Sequence, residues 1–321
     1  MELLQHPEDR GYPAEYLCSR IRGRRSRLIA DWKRLIFDVN PSEYLAAGNY
    51  GRVIKERSSA GVWRGLAQEY QWVFSQMNEQ LRDIFNPFFI YAELRTLFIC
   101  LRHKKDRKAG GILELLEKSL LSNGVKKVLA ESIDVPEALD GLENIFLERS
   151  ARFAGLKKRY ETDGLRSVEQ HLTNTFLAVT VRDGLHPLVK KFFQQVIDSR
   201  NIMSLYKYLR FDSSGKPFFI EGGCVPLAQL NVILDRKDLV ALAALVTGHT
   251  GIKVETPDPT QVEVALYKSI TRFLKKAGRD PLGIGLFLDY LWKCSIEAMN
   301  LSIVLSSRDL EREAVSAELV M

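Results

Sequence analysis

Leu17, Ile21, Leu28, Trp32 and Leu35 recur at a spacing close to 3.6 residues, which predicts an amphipathic helix with one apolar stripe. Arg20, Arg24, Arg27, Asp31 and Arg34 run parallel to that stripe, one residue or about 100° further round the same helix. A second helix is predicted from Val62 to about Phe85, where Leu66, Tyr70, Val73, Met77, Leu81 and Ile84 alternate with polar residues. Runs of alternating β-branched residues bounded by turn residues are scarce. Phe218-Phe219-Ile220, just before Gly222-Gly223, is the best candidate for a short extended segment. The pattern as a whole predicts an all-α protein.

Three long apolar helices are expected to open on a residue followed by proline: Asn86-Pro87-Phe88, His186-Pro187-Leu188 and Asp280-Pro281-Leu282. Proline suits the first helical position because its missing N–H has no partner there anyway. Asn86 and Asp280 are suitable N-caps, His186 a poorer one. Each helix then carries an acid, two residues, Asn or Thr, and an aliphatic residue: Glu93-x-x-Thr96-Leu97, Asp198-x-x-Asn201-Ile202 and Glu297-x-x-Asn300-Leu301. The acids are 105 and 99 residues apart. This even spacing suggests three helical units, approximately 1–109, 110–214 and 215–321, with a period too long for a solenoid of small repeats. Two roles fit the acid and amide positions. They can satisfy backbone groups or pair between helices, or they can line a shared polar interior.

Composition narrows the class. Of 321 residues, 46% are hydrophobic and 27% charged, an ordinary globular balance with ample chain for a core. The longest stretch free of charge is the fourteen residues Leu239 to Ile252, short of the roughly 20 apolar residues a bilayer span needs. No span is therefore expected, and the polar Met1 to Arg10 stretch reads as no secretory signal. Cys18, Cys100, Cys224 and Cys294 are too scattered for a disulfide framework or zinc finger, which fits a reducing cytoplasm.

The charge is unevenly placed. The 46 basic and 40 acidic residues leave a formal +6. Arg20, Arg22, Arg24, Arg25, Arg27, Lys33 and Arg34 crowd one segment, Arg102, Lys104, Lys105, Arg107 and Lys108 a second, and the stretch from Asp309 onward is acidic. A basic face can be solvated, meet a partner protein, or bind nucleic acid. Nucleic-acid readers usually interleave aromatics for stacking, whereas Trp32 and Leu28 belong here to the apolar stripe.

Catalytic patterns are missing from the sequence. It has no G-x-x-x-x-G-K-[ST] loop, no C-x-x-C and no H-E-x-x-H. Gly283-Ile284-Gly285 lacks a third glycine and a preceding strand, so it reads as a close helix-packing point. His6, His103, His171, His186 and His249 are scattered singly. Ser204-x-x-Lys207 sits mid-helix with no second element to make a nucleophile pair. No catalytic, metal-binding or cofactor-binding residues are assigned, and no cofactor or small-molecule substrate is expected.

The stretch from Asp280-Pro-Leu-Gly-Ile-Gly-Leu-Phe-Leu-Asp-Tyr-Leu to Glu297-Ala-Met-Asn-Leu301 resembles the closing helix of the subunit called C in bacterial and archaeal V-type (A-type) ATPases and d in eukaryotes. Tyr16-Leu-Cys-Ser-Arg-Ile-Arg-Gly-Arg-Arg-Ser-Arg-Leu-Ile29 is similar to that family's N-terminal helix, and Pro217-Phe-Phe-Ile-Glu-Gly-Gly223 to its aromatic turn. Overall length agrees, while 110–183 matches almost nothing. The resemblance implies a funnel of three pseudo-equivalent helical units around a central cavity. It implies a peripheral protein on the cytoplasmic face of the membrane, without catalytic residues, joining the D and F subunits of the central stalk to the proteolipid ring. On that reading Glu93, Asp198, Asn201, Glu297 and Asn300 are inner polar positions, and Arg20, Arg24, Arg27 and Arg34 meet an acidic partner or the ring edge. The alternative is an all-helical nucleic-acid binder using the basic N-terminal helix.

Overall fold

The computed structural model describes residues 2–10, 12–37, 59–107, 110–182, 184–211, 217–254, 258–281, 283–307 and 311–320. In chain order the described helices are α1 (Ala14–Arg25), α2 (Trp32–Phe37), α3 (Ser59–Gln76), α4 (Glu79–Lys105), α5 (Gly110–Glu117), α6 (Asn123–Glu131), α7 (Val135–Leu147), α8 (Leu156–Thr180), α9 (Pro187–Phe211), α10 (Leu227–Arg236), α11 (Leu239–Thr250), α12 (Pro259–Ala277), α13 (Gly285–Ser306) and α14 (Arg312–Glu318). A 3₁₀ turn, Ala151–Phe153, precedes α8. The fold is all-α, and the one β pairing among the described residues is an isolated antiparallel bridge between Leu4 and Leu121.

The chain forms two compact units, Met1–Tyr12 with Ala67–Val189, and Pro13–Leu66 with Lys190–Met321. The expected three-part boundaries fall at 109 and 214–215, outside the described residues. In the first unit α4 packs against α5, α7 and α8. Tyr70 and Phe74 from α3 meet Phe89 edge-on, with the Phe74–Phe89 centroids 4.9 Å apart, a geometry that matches ring edges to ring faces. In the second unit α12 packs on α11 and α13, and α13 on α1. Its core gathers Ile202, Leu205, Tyr206, Leu230, Leu242, Val246, Val262 and Leu266.

The first predicted helix is two helices rather than one. The Ser26 hydroxyl donates to the Gly23 carbonyl (2.8 Å), ending α1. The Glu297 carboxylate accepts the Ile29 N–H, and Asp31 Oδ1 accepts the Arg34 N–H (2.9 Å), capping α2. Arg20 and Arg24 therefore stay on α1, Arg27 lies in the connection, and Arg34 belongs to α2. Leu17 and Ile21 are buried on α1, Trp32 and Leu35 on α2, and Leu28 is half-buried between them.

Two proline openings are corrected. The helix expected from Val62 to Phe85 stops at Gln76, and Asn78 Oδ1 accepts the Leu81 N–H (3.0 Å) to start α4. Pro87 thus lies inside α4 and Asn86 is no cap; its Oδ1 is buried with no hydrogen-bond partner among the described residues. Phe85, Phe88 and Phe89 are buried around it, so core packing outweighs the roughly 3 kcal/mol that an interior proline costs. Likewise α13 begins at Gly285 rather than Pro281, and Leu282 lies outside the described residues. The third opening stands, since α9 starts at Pro187 and His186 Nδ1 accepts the Leu188 N–H (3.2 Å). Gly285 is a close-packing point as expected: a Cβ there would lie 2.3 Å from the Ala277 carbonyl oxygen. Lys108, in the second basic cluster, and Asp309, at the start of the acidic stretch, lie outside the described residues.

One described helix, α4, is long and apolar enough to cross a membrane by length and composition. Its apolar window is 56% buried within the protein, the environment of a core helix.

Candidate functional site

The singled-out acids and amides all hold backbone. On α9, Asp198 is wholly buried. Its Oδ2 accepts the Cys224 N–H (3.0 Å) and its Oδ1 the Val225 N–H (2.9 Å). One turn on, the Asn201 amide donates to the Ile220 carbonyl (2.9 Å) and accepts the Ile220 N–H (2.8 Å). Asn201 thus pins the middle of the aromatic-to-glycine segment and Asp198 the backbone just after it, with Phe219 and Ile220 buried and Phe218 72% exposed. The paired glycines have separate reasons. Gly222 has a φ of +94°, which favours glycine. A Cβ on Gly223 would lie 2.2 Å from Asp198 Oδ1, so only glycine lets the carboxylate reach the amides beyond it.

Helix α13 repeats the amide half of this device. Asn300 donates to the Val320 carbonyl (3.0 Å) and accepts the Val320 N–H (3.2 Å), 20 residues away, where Asn201 and Ile220 are 19 apart. Its acid, Glu297, turns instead to the α1–α2 connection at Ile29. In the first unit Glu93 repeats the acid half: Oε1 accepts the Leu120 N–H (2.7 Å) and Oε2 the Ser119 hydroxyl (2.8 Å). Leu120 is 27 residues from Glu93, as Val225 is from Asp198. Thr96 lacks the amide's paired donor and acceptor and hydrogen-bonds Glu93 itself. The segment held by Glu93 in turn pairs with the N-terminal strap, Gln5 N–H to Leu120 carbonyl (2.8 Å) and Ser122 N–H to Leu3 carbonyl (2.9 Å).

Burial pushes the Glu93 carboxyl above its ordinary value, opposed by the hydrogen bonds from Leu120, Ser119 and Thr96. A separate buried cluster was missed in the sequence. Asp289, wholly buried on α13, receives Arg25 from α1 (2.9 Å) and Lys293 one turn on (2.9 Å). Burial lowers the Lys293 pKa, with Asp289 partly restoring it. The i, i+4 spacing of Asp289 and Lys293 was a visible signal, but nothing in the sequence distinguishes Arg25 from its basic neighbours.

Arg20 and Arg27 are exposed and Arg24 is half-buried. Arg20 also leans on Tyr16, donating to its hydroxyl (3.1 Å) with the guanidinium 5.7 Å from the ring centroid. In the second basic cluster Arg102 makes a two-pronged pair with Glu169 (2.7 and 2.6 Å), and Lys104 donates to the Ser132 carbonyl.

The sequence profile of the ATP synthase (C/AC39) subunit matches residues 17–315. The chain belongs to the ATP synthase (C/AC39) subunit family. No curated protein gives a significant match. The profile covers nearly all of the chain, in agreement with the resemblance carried by its N-terminal, aromatic-turn and closing-helix motifs. It also spans 110–183, where the motifs offered nothing. In this C/AC39 subunit the matched range contains all five buried acid and amide positions and their held segments up to 315, while Val320 lies just beyond it.

Two outcomes are expected of these positions. Asn201→Ala strands the buried N–H and C=O of Ile220, at about 1–3 kcal/mol for each unsatisfied group. Urea melts of purified protein are expected to show a loss of about 2–5 kcal/mol, larger than that of the exposed control Lys207→Ala. Glu93 sets a pH dependence. Because its folded pKa is raised, the stability this implies is complete below its unfolded value and is lost as pH rises through its folded value. Glu93→Gln, always neutral, is expected to match wild type at acid pH. It then gains on wild type by at most about 1.4 kcal/mol per pH unit across that window, as thermal melts over a pH series will show.

Proposed function

We propose that this protein is the coupling subunit of a rotary V-type or A-type ATPase. It joins the D and F subunits of the central stalk to the proteolipid ring from the cytoplasmic side and has no catalytic step of its own. Membership of the ATP synthase (C/AC39) subunit family over residues 17–315 carries this reading.

The physical design supports it. A part that transmits torque must resist bending, and close-packed helices deform little. The segments between helices are the soft places in a helical protein. Here Asp198, Asn201, Glu297, Asn300 and Glu93 tie several of them to helix interiors through buried hydrogen bonds. The matching 26–27 and 19–20 residue offsets favour a common ancestral unit for the three helices. The basic face of Arg20, Arg24 and Arg27 is assigned to an acidic surface of stalk or ring, where charge complementarity steers docking.

Affinity purification of the tagged protein from native membranes is expected to recover stalk and proteolipid subunits together. Recovery of neither would overturn the reading. Reversing Arg20, Arg24 and Arg27 to Glu, with Arg25 left intact to hold Asp289, is expected to weaken capture about tenfold and to reduce its salt dependence. Unchanged capture would remove the basic face from the interface.

A further inference from the structure

A cavity of about 530 Å³ in the second unit is lined by His249, Thr250, Gly251, Ser269, Arg272, Phe273, Lys275, Lys276 and Arg279. The lining holds four permanent cations and no carboxylate. Arg272, Lys275, Lys276 and Arg279 stand at i, i+3, i+4 and i+7, which places them on one face of α12 and its C-terminal extension.

Folding explains only part of this. Arg272 donates to the carbonyl of the buried Thr250 at the end of α11 (3.0 Å), satisfying a helix-terminal acceptor. Lys275 and Lys276 lie in the last turn of α12, where the helix dipole favours a cation by under about 1 kcal/mol. Neither explains four cations around one concavity, since like charges three and four residues apart repel. Among the described residues Lys275, Lys276 and Arg279 form no ion pair, although Asp280 stands four residues after Lys276. Phe273 gives the cavity an apolar wall, and Ser269, Thr250 and the Gly251 backbone add neutral hydrogen-bonding groups. Arginine supplies planar two-pronged donors and lysine a compact point charge, the pairing used for phosphate oxygens.

We infer that this cavity binds a multiply charged phosphate-bearing ligand, held by Arg279, Lys275 and Lys276, with Arg272 as the fixed donor at its floor. The ligand is either a soluble polyphosphate anion or the phosphorylated headgroup of a membrane lipid. The inference is independent of the coupling role, because it rests on the cavity's own charge and shape.

The test uses the full-length protein with two probes, tripolyphosphate followed by calorimetry and thermal melting, and phosphatidylcholine vesicles with or without an anionic phospholipid followed by sedimentation. The variant is Lys275→Ala/Lys276→Ala/Arg279→Ala, which spares Arg272 and its bond to Thr250. The control is Lys190→Ala/Lys207→Ala, which removes exposed cations from α9. Wild type and control are expected to bind one probe, and the cavity variant to bind it at least about tenfold more weakly, as the loss of charge-assisted contacts implies. Without probe the variant is expected to melt close to wild type, because the relief of mutual repulsion offsets the small helix-dipole contribution of the last-turn lysines; that result separates lost binding from lost folding. Response to tripolyphosphate assigns a soluble anion, whereas response only to anionic vesicles assigns a headgroup. Failure of both probes, or equal binding by the cavity variant and wild type, overturns the inference.

Discussion

A carboxylate or amide buried away from water must find hydrogen-bond partners inside the protein, and here it finds them in backbone that no helix can satisfy. Asp198, Asn201, Glu297, Asn300 and Glu93 project from three long helices. Their partners are the N–H and C=O groups of non-helical stretches, and those at Leu120, Ile220, Val225 and Val320 would otherwise be buried unpaired at about 1–3 kcal/mol each. Each side thus removes the other's desolvation cost. The helices determine where the acids and amides stand, and the acids and amides determine where the connecting segments lie. That dependence explains the glycine at 223, where a single added carbon would collide with Asp198. It also explains the interruption of the N-terminal apolar stripe, because Glu297 draws Ile29 out of helical pairing.

Electrostatics adds a second layer to the same unit. Asp289 is buried with two cations, one local and one from α1. Removing one partner of such a cluster leaves buried charge and costs about 3–5 kcal/mol. The basic segment near the N-terminus therefore has two occupations. Arg25 turns inward to Asp289, while Arg20 and Arg27 are exposed. Adjacent arginines in one cluster differ in role because α1 presents a different face every residue.

All-α architecture was legible in the sequence because helical periodicity is a property of consecutive residues. The acid-x-x-amide positions were legible because their spacing recurs. Holding backbone was one of the two roles their chemistry suggested, but which backbone was not legible, since Ile220, Cys224, Val225 and Val320 lie 19 to 27 residues from the groups that hold them, and no local pattern records such a pairing. Helix ends failed for a similar reason. Pro87 looks like a helix start, yet the buried Phe85, Phe88 and Phe89 carry α4 through it. The apolar stripe from Leu17 to Leu35 looks continuous, yet Asp31 and the distant Glu297 divide it. The cavity cations were visible as residues, but their convergence with Thr250 and Gly251 depends on the packing of α11 against α12.

The central claim is that side chains on α9 and α13 make non-helical backbone as firmly held as the helices. Residue-resolved native-state hydrogen exchange tests it most directly, because it reports the free energy of opening each amide. The account predicts that the Ile220, Cys224, Val225 and Val320 amides are protected to the same degree as Ile202 and Leu205 within α9. Exchange of those four at the rate of exposed loop amides, with α9 still protected, would contradict it.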